Sequence, residues 1–186
     1  MSTGGERTDF LALGAREYGA NFGFHRLLEV LDKCGVKATV LTSGLMAEFF
    51  PETLKDATQG GHEVASHHWD QSIHPYEYQT IAEERDAIQR SVEAIEKAAG
   101  ERPLGYMSPG PRPGPYTLEI CAALGFKWDG DYCDADVPYL IDVNGSKLVS
   151  VGYVRPAYTD NDIMPLGLAG ALQQLRQQQS RRTRPD

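Results

Sequence analysis

Helical and strand-like patterns alternate along most of this chain, with only short links between them. Apolar residues at helical spacing predict helices at 22–33, 51–59, a segment after Thr80, 116–124 and 166–178. Short apolar runs predict strands at 36–41, 62–66, 104–107, 126–129 and 148–154. Such alternation is typical of a mainly parallel sheet covered by helices. We therefore expect an α/β fold, built as either an open sheet or a barrel.

A polar or rigid loop follows each predicted strand. These loops are 42–44, 67–74, 108–115, 129–136 and 158–162. The carboxyl ends of sequential parallel strands meet at one rim of a sheet or barrel, where loops carry the chemistry of such folds. The sequence therefore predicts a functional site at this rim.

The histidines are concentrated in one of these loops, since four of the five lie between His62 and His74. Neutral imidazole is a common metal ligand and a general base near neutral pH. In a helical turn His67, Gln71 and His74 would share one face. Alternation along the preceding strand places His67 on the face opposite His62. His62 and His68 are equally consistent with solvated or capping residues.

Two other polar segments are open to two interpretations each. The four aspartates between residues 128 and 139 predict either an exposed acidic turn or a cleft that binds polar substrate groups. The aromatic residues of that segment suit a sugar ring but are equally typical of a core: Trp128, Tyr132 and Tyr139. The proline-rich stretch 108–115 predicts a rigid wall beside the histidines or a structural turn. The charged run 83–86 predicts a solvated helix face.

Composition narrows the possible classes of function. The chain has 186 residues and a net charge of −8, which argues against a nucleic-acid partner because that needs a basic surface. Its three cysteines are widely spaced, which argues against a disulfide framework and a zinc-thiolate site. No long apolar run or signal pattern is evident, so we expect a cytoplasmic protein without a membrane partner.

Four segments, in this order and spacing, resemble the polysaccharide deacetylase family. They are Arg-Glu-Tyr-Gly at 16–19, Gly-His-Glu-Val-Ala-Ser-His at 61–67, Glu-Arg-Pro-Leu-Gly with Ser-Pro-Gly at 101–110, and Asp-Val-Pro-Tyr at 136–139. Within the family the chain is similar to the branch of peptidoglycan deacetylase-like proteins, metal-independent allantoinases and cyclic imide hydrolases. The resemblance covers residues 14–164, with 1–164 as a partial catalytic domain and 165–186 as a terminal helix and basic polar tail.

The resemblance implies a distorted (β/α) barrel that hydrolyses non-peptide carbon–nitrogen bonds, usually an N-acetyl group on a sugar. It also implies zinc or another divalent metal that polarises the carbonyl and activates water. By position, His67 matches the first histidine ligand, Gln71 stands at the second, and His74 would substitute if the loop shifted. Asp136 and His67 match catalytic positions. The substrate-binding residues implied in the same way are Tyr18, Trp69, Ser108 and Tyr139.

The chain departs from the family pattern in three further places. Met107 stands where an arginine often precedes the Ser-Pro-Gly turn, and no histidine follows His74. No segment before Asp9 has the pattern of the family's Asp-rich first strand. We therefore expect a partial barrel with little or no catalytic competence, whose unpaired strand edges favour completion by a second copy or a separate chain.

Three functions remain open from the sequence. The first is a deacetylase-like hydrolase acting on a glycan. The second is an allantoinase or cyclic imide hydrolase acting on a small cyclic amide, which the change at Gln71 favours. The third is a ligand-binding module that has lost its catalytic groups, which the missing late histidine favours.

Overall fold

The computed structural model describes Gly14, residues 17–135 and 137–152, Gly170 and Gln173. The chain divides after Gly152, and the described residues other than Gly170 and Gln173 belong to the first unit. The predicted boundary at 164/165 and most of the predicted helix at 166–178 lie outside the described residues. Both stay predictions.

Six strands and five α-helices follow one another in the described part of the chain. A π-helical turn at Gly19–Gly23 leads into α1 at Phe24–Lys33. The later helices are α2 Gly44–Phe49, α3 Pro51–Gln59, α4 Ile81–Ala99 and α5 Thr117–Ala123, with a 3₁₀ turn at Pro75–Glu77. The strands are β1 Thr39–Thr42, β2 Glu63–Ser66, β3 Gly105–Tyr106, β4 Trp128–Asp129, β5 Tyr139–Val143 and β6 Ser146–Ser150.

The strands form one sheet in the order β1-β2-β3-β4-β6-β5. All neighbours are parallel except β5 and β6, which pair antiparallel. The register places Thr42, Ser66, Tyr106, Asp129 and Ser150 side by side across the five parallel strands. The residues that follow them therefore meet at one rim, as predicted. Among the described residues the sheet is open, so the prediction of an incomplete barrel of parallel strands and outer helices is confirmed.

Most predicted elements are present, and two were missed. Helix α2 was expected to be a loop, although Ser43 caps it by accepting a hydrogen bond from the Met46 amide (3.3 Å). Strand β5 was also expected to be a loop. A turn at Asn144 and Gly145, both with positive φ, joins it to β6. Asn-Gly is the preferred pair for such a two-residue hairpin turn.

One face of the sheet carries the apolar core. Val64, Tyr106 and Leu148 lie on this face and pack with helix residues such as Ile88 and Ile95. Because side chains alternate along a strand, residues 63, 65 and 67 lie on the opposite face. There the Trp128 indole nitrogen donates to Glu63 Oε1 (2.8 Å). The first histidine of the predicted site thus leaves β2 on the face away from the helices.

The charged run at 83–86 is not a solvated face throughout, so that prediction was wrong for Glu84. The predicted capping box is present: Thr80 Oγ1 accepts from the Glu83 amide (3.3 Å) and Glu83 Oε2 accepts from the Thr80 amide (3.1 Å). Glu84, however, is 2% exposed and accepts a hydrogen bond from the Thr117 hydroxyl. A helix turns by about 100° per residue, so Glu84 falls on the same side as Ile88.

No helix of the described residues is both long and apolar enough to span a membrane.

Candidate functional site

His67 stands at the rim, directly after β2. Its Nδ1 lies 2.7 Å from the carbonyl oxygen of Met107, in the loop after β3. A carbonyl oxygen only accepts, so Nδ1 carries the proton and Nε2 holds the lone pair. Burial lowers the pKa of His67, and the hydrogen bond to Met107 opposes that shift. The imidazole is therefore neutral at pH 7, with a nitrogen able to accept a proton.

His74 is held in a similar way by the same loop. Its Nδ1 lies 3.0 Å from the carbonyl oxygen of Pro109, so its neutral form also has the lone pair on Nε2. The His74 amide donates to Glu77 Oε2 (2.6 Å), which closes the 3₁₀ turn. The ring stacks on Tyr76 at a centroid distance of 5.5 Å. Two fixed imidazoles thus lie around the loop at residues 107–109.

The segment 67–74 is not helical, so His67, Gln71 and His74 do not share a helical face. His68 has a left-handed backbone (φ 68°), and Asp70 Oδ1 accepts from the amide (2.8 Å) and the hydroxyl (2.7 Å) of Ser72. These local bonds replace the helical pattern. Gln71 is exposed and lines a mainly apolar cavity of about 310 Å³ beside β1.

The predicted metal ligands do not form a complete donor set in the described part of the chain. There, no group of three or more His, Cys, Asp or Glu side chains could hold an ion. Catalytic zinc sites use three protein ligands, and glutamine is not among the usual ones. The described residues supply two imidazoles. They do not fit the zinc centre that the family implies.

His62 and His68 are buried, so the interpretation of either as a solvated residue was wrong. His62 Nδ1 accepts from the Ala38 amide (3.1 Å) and ties β2 to the start of β1. His68 lies between two hydroxyls, with Nδ1 3.1 Å from Tyr106 Oη and Nε2 3.0 Å from Tyr78 Oη. Burial, with a smaller contribution from the neighbouring His67, lowers the pKa of His68 to about 4. Both side chains thus make hydrogen bonds that connect elements of the fold.

Ser108 is fully buried in the loop after β3, between the residues whose carbonyls contact His67 and His74. Its amide and its hydroxyl both donate to Asp131 Oδ1, each at 2.7 Å. The same hydroxyl accepts from the Arg112 amide (2.7 Å). The proline-rich loop therefore lies beside the histidines, and the hydroxyl of Ser108 is occupied by the protein itself. Its role as a rigid wall stays a prediction.

The acidic segment divides into a buried and an exposed part. Asp129 and Asp131 are 1% and 6% exposed, and each has an Oδ2 without a hydrogen-bond partner. Burial, together with the Asp131 charge, raises the pKa of Asp129 to about 7, and burial raises that of Asp131 to about 6. Asp134 is exposed and accepts from the Tyr139 hydroxyl (2.7 Å). Asp136, a predicted catalytic residue, lies outside the described residues.

The remaining predicted substrate-binding residues have described contacts with residues other than His67 and His74. The Trp69 ring lies against Gly44 of α2, and the Arg90 guanidinium lies 4.0 Å from the ring centroid. Tyr18 is exposed, stacks on Phe22 and accepts from Arg26 (2.5 Å). Tyr139 contacts Asp134, as above. Their roles toward a substrate stay predictions.

Sequence reasoning interpreted the aspartates as an exposed turn or as cleft residues and missed the burial of Asp129 and Asp131. It also missed the Glu84–Thr117 pair. The burial of Asp129 follows from the pairing of β4 with β3, which the sequence alone does not show. Asp129 lies in register with Tyr106 and so shares the helix-facing side of the sheet. That face is the core face, where a carboxylate has to be buried.

Comparison with known proteins gives three kinds of match. A family model described as polysaccharide deacetylase matches residues 17–128. A peptidoglycan deacetylase of Helicobacter pylori is 32% identical over 130 residues, which cover 69% of this chain and 44% of that protein. A peptidoglycan deacetylase-like protein of Gibberella zeae is 29% identical over 168 residues, covering 86% of this chain and 47% of that protein. The chain thus spans less than half the length of these two relatives.

Solved structures show the same fold. One assigned to a polysaccharide deacetylase of Mycobacterium smegmatis has a TM-score of 0.74 at 27% identity, covering 93% of this chain and 66% of that one. An allantoinase has a TM-score of 0.70 at 28% identity, covering 81% of this chain and 49% of that one.

Proposed function

Since this chain belongs to the polysaccharide deacetylase family, we propose that it hydrolyses the carbon–nitrogen bond of an N-acyl group on a glycan such as peptidoglycan. One observation supports this above the others. His67 is held at the rim as a neutral base, with its proton fixed on Nδ1 by the Met107 carbonyl. Hydrolysis of an amide requires such a base to activate water.

The reaction can be written with His67 alone as the proton carrier. As the oxygen of water attacks the acyl carbon, Nε2 of His67 takes a proton from that water. The carbon–nitrogen bond then breaks, and the same Nε2 returns the proton to the leaving nitrogen. Water and amide become carboxylic acid and amine, and His67 ends neutral. This route uses no group outside the described residues.

A metal would polarise the acyl carbonyl if one were bound, but the described donor set does not fit a zinc site, and no step is assigned to it. Asp136, for which the resemblance implies a catalytic role, lies outside the described residues, and this route assigns it no step. Without a separate acid or base, turnover should be about 10²–10⁴-fold below that of a complete site. We expect slow hydrolysis for this reason.

A small cyclic amide is the second candidate substrate. Gln71 stands where the family has a histidine ligand, and it is exposed beside the cavity near β1. The structural similarity to an allantoinase supports the same candidate. A hydrolase of cyclic amides would need fewer of the metal ligands, as the resemblance to metal-independent allantoinases implies.

The test compares the purified chain on two substrates, with and without a chelator. Acetate release from N-acetylglucosamine oligomers and ring opening of allantoin or hydantoin are measured for wild type, His67→Ala and the surface control His25→Ala. Acetate release that depends on His67 and not on His25 supports the glycan proposal. Ring opening with no acetate release favours the cyclic amide. Saturable binding of either compound without turnover would leave a ligand-binding module.

A further inference from the structure

The two fixed histidines share one short anchor. His67 Nδ1 contacts the carbonyl of Met107 (2.7 Å), and His74 Nδ1 contacts that of Pro109 (3.0 Å). Ser108 is the single residue between these two carbonyls. The orientation of both rings, and the nitrogen that carries the proton in each, therefore depends on how the anchor loop, residues 107–109, is held.

One carboxylate oxygen holds that loop at its centre. Asp131 Oδ1 accepts from both the amide and the hydroxyl of Ser108, each at 2.7 Å. The Ser108 hydroxyl also accepts from the Arg112 amide, so the bond extends into the proline-rich loop. Asp131 is itself placed by its own amide, which donates to Asp129 Oδ1 (3.1 Å). Both Asp131 and Ser108 are buried, so water does not replace these contacts.

We propose that Asp131 is a positioning residue: through Ser108 it fixes the anchor loop and so sets the proton position and orientation of His67 and His74 together. The residue itself does not touch a substrate. Only the expected effect of Asp131 on turnover rests on the proposed function. The effect on the two imidazoles follows from the geometry and is independent of any activity.

Three substitutions separate this role from general stability. Asp131→Leu has a similar size but offers no acceptor for Ser108. Asp131→Asn keeps an Oδ1 that can accept both bonds. Asp134→Leu makes the same change three residues away, at an exposed aspartate whose side chain contacts Tyr139 and not the anchor loop.

The primary measurement is a nitrogen-15 NMR spectrum of the histidine side chains, which distinguishes an imidazole protonated on Nδ1 from one protonated on Nε2. In wild type at pH 7.5, we expect His67 and His74 both to be protonated on Nδ1. In Asp131→Leu both should lose that preference together. Asp131→Asn and Asp134→Leu should retain it. The resonances of His68, which is bound to Tyr106 and Tyr78, report that the core remains folded.

Where turnover is measurable, Asp131→Leu should lower kcat by about 10²-fold, the usual consequence of moving a catalytic group by about 1 Å. KM should change little, and Asp131→Asn should restore kcat. If Asp131→Leu does not fold, Ser108→Ala removes one of the two bonds and should shift both histidines in the same direction by a smaller amount. Folded Asp131→Leu or Ser108→Ala with both histidines as in wild type would overturn the proposal. Absent turnover with the expected NMR change would count against the proposed function alone.

Discussion

Replacing Asp129 with asparagine should stabilise the protein at neutral and alkaline pH. Asp129 is buried at the end of β4, and its pKa is raised from 3.8 to about 7. A carboxyl whose pKa is higher in the folded state favours folding fully at low pH. That contribution is lost as pH rises from the unfolded value to the folded one, here between about 4 and 7.

The magnitude follows from the size of the shift. A rise of about three pKa units corresponds to about 4 kcal/mol, at 1.36 kcal/mol per unit. The asparagine keeps Oδ1 as an acceptor for the Asp131 amide, a bond of 3.1 Å in the wild type. Its new NH₂ group replaces Oδ2, and an unsatisfied buried donor costs about 1–3 kcal/mol. The net gain at pH 8 should therefore be about 1–3 kcal/mol.

Urea unfolding followed by tryptophan fluorescence at pH 5, 6, 7 and 8 measures the free energy of unfolding for both proteins. The wild type should lose stability steeply across this range, whereas Asp129→Asn should lose less and be the more stable protein at pH 8. Asp86→Asn, an exposed change on α4, serves as the control and should keep the wild-type pH dependence. If Asp129→Asn is the less stable protein at pH 8 and its pH dependence equals that of wild type, burial does not raise the pKa of Asp129.

Two further changes test the packing and the helix start, with urea unfolding as the measurement. Gly105→Ala would place a Cβ in direct overlap with the Trp128 ring, so it should destabilise by several kcal/mol or displace that ring. Gly19→Ala, with open space around it, should do neither. An equal effect at both glycines would contradict the packing of Trp128. Thr80→Ala removes the hydroxyl that caps α4 and should cost about 1 kcal/mol, and a loss under about 0.3 kcal/mol would mean that the capping box with Glu83 adds nothing.

The parallel architecture was predictable because its signals are local. Both ends of helix α4 have residues that mark them in the sequence. Thr80 begins the capping box, and Gly100, which adopts the left-handed conformation, follows the last helical residue. Helix α3 begins with Pro51, and proline is preferred at the first position of a helix. The order of such elements, with short links, is sufficient to predict a parallel sheet. A local signal also existed for β5, in the Asn144-Gly145 pair that joins it to the predicted strand β6, but the acidic residues before β5 favoured a loop.

The site was predictable only in part, because its geometry comes from contacts between distant segments. His67 could be placed at the rim because it directly follows the predicted strand, and on the face opposite His62 because side chains alternate along that strand. Its tautomer could not, since that depends on a carbonyl forty residues later. Likewise, the helical spacing of His67, Gln71 and His74 was misleading. The left-handed backbone at His68 and the Asp70 turn are local choices that a spacing rule does not contain.

The buried carboxylates show why an acidic run in a sequence is ambiguous. Asp129, Asp131 and Asp134 are two residues or three apart and look alike, yet the first two are in the core and the third is exposed. The difference arises from β4, which lasts only two residues and puts Asp129 in register with the core residue Tyr106. Asp131 is then drawn in by Ser108, whose two donors would otherwise be buried without an acceptor. Burial of these acids raises their pKa values and costs stability. The hydrogen bonds that the buried Asp131 accepts from Ser108 fix the position of the loop that orients both imidazoles.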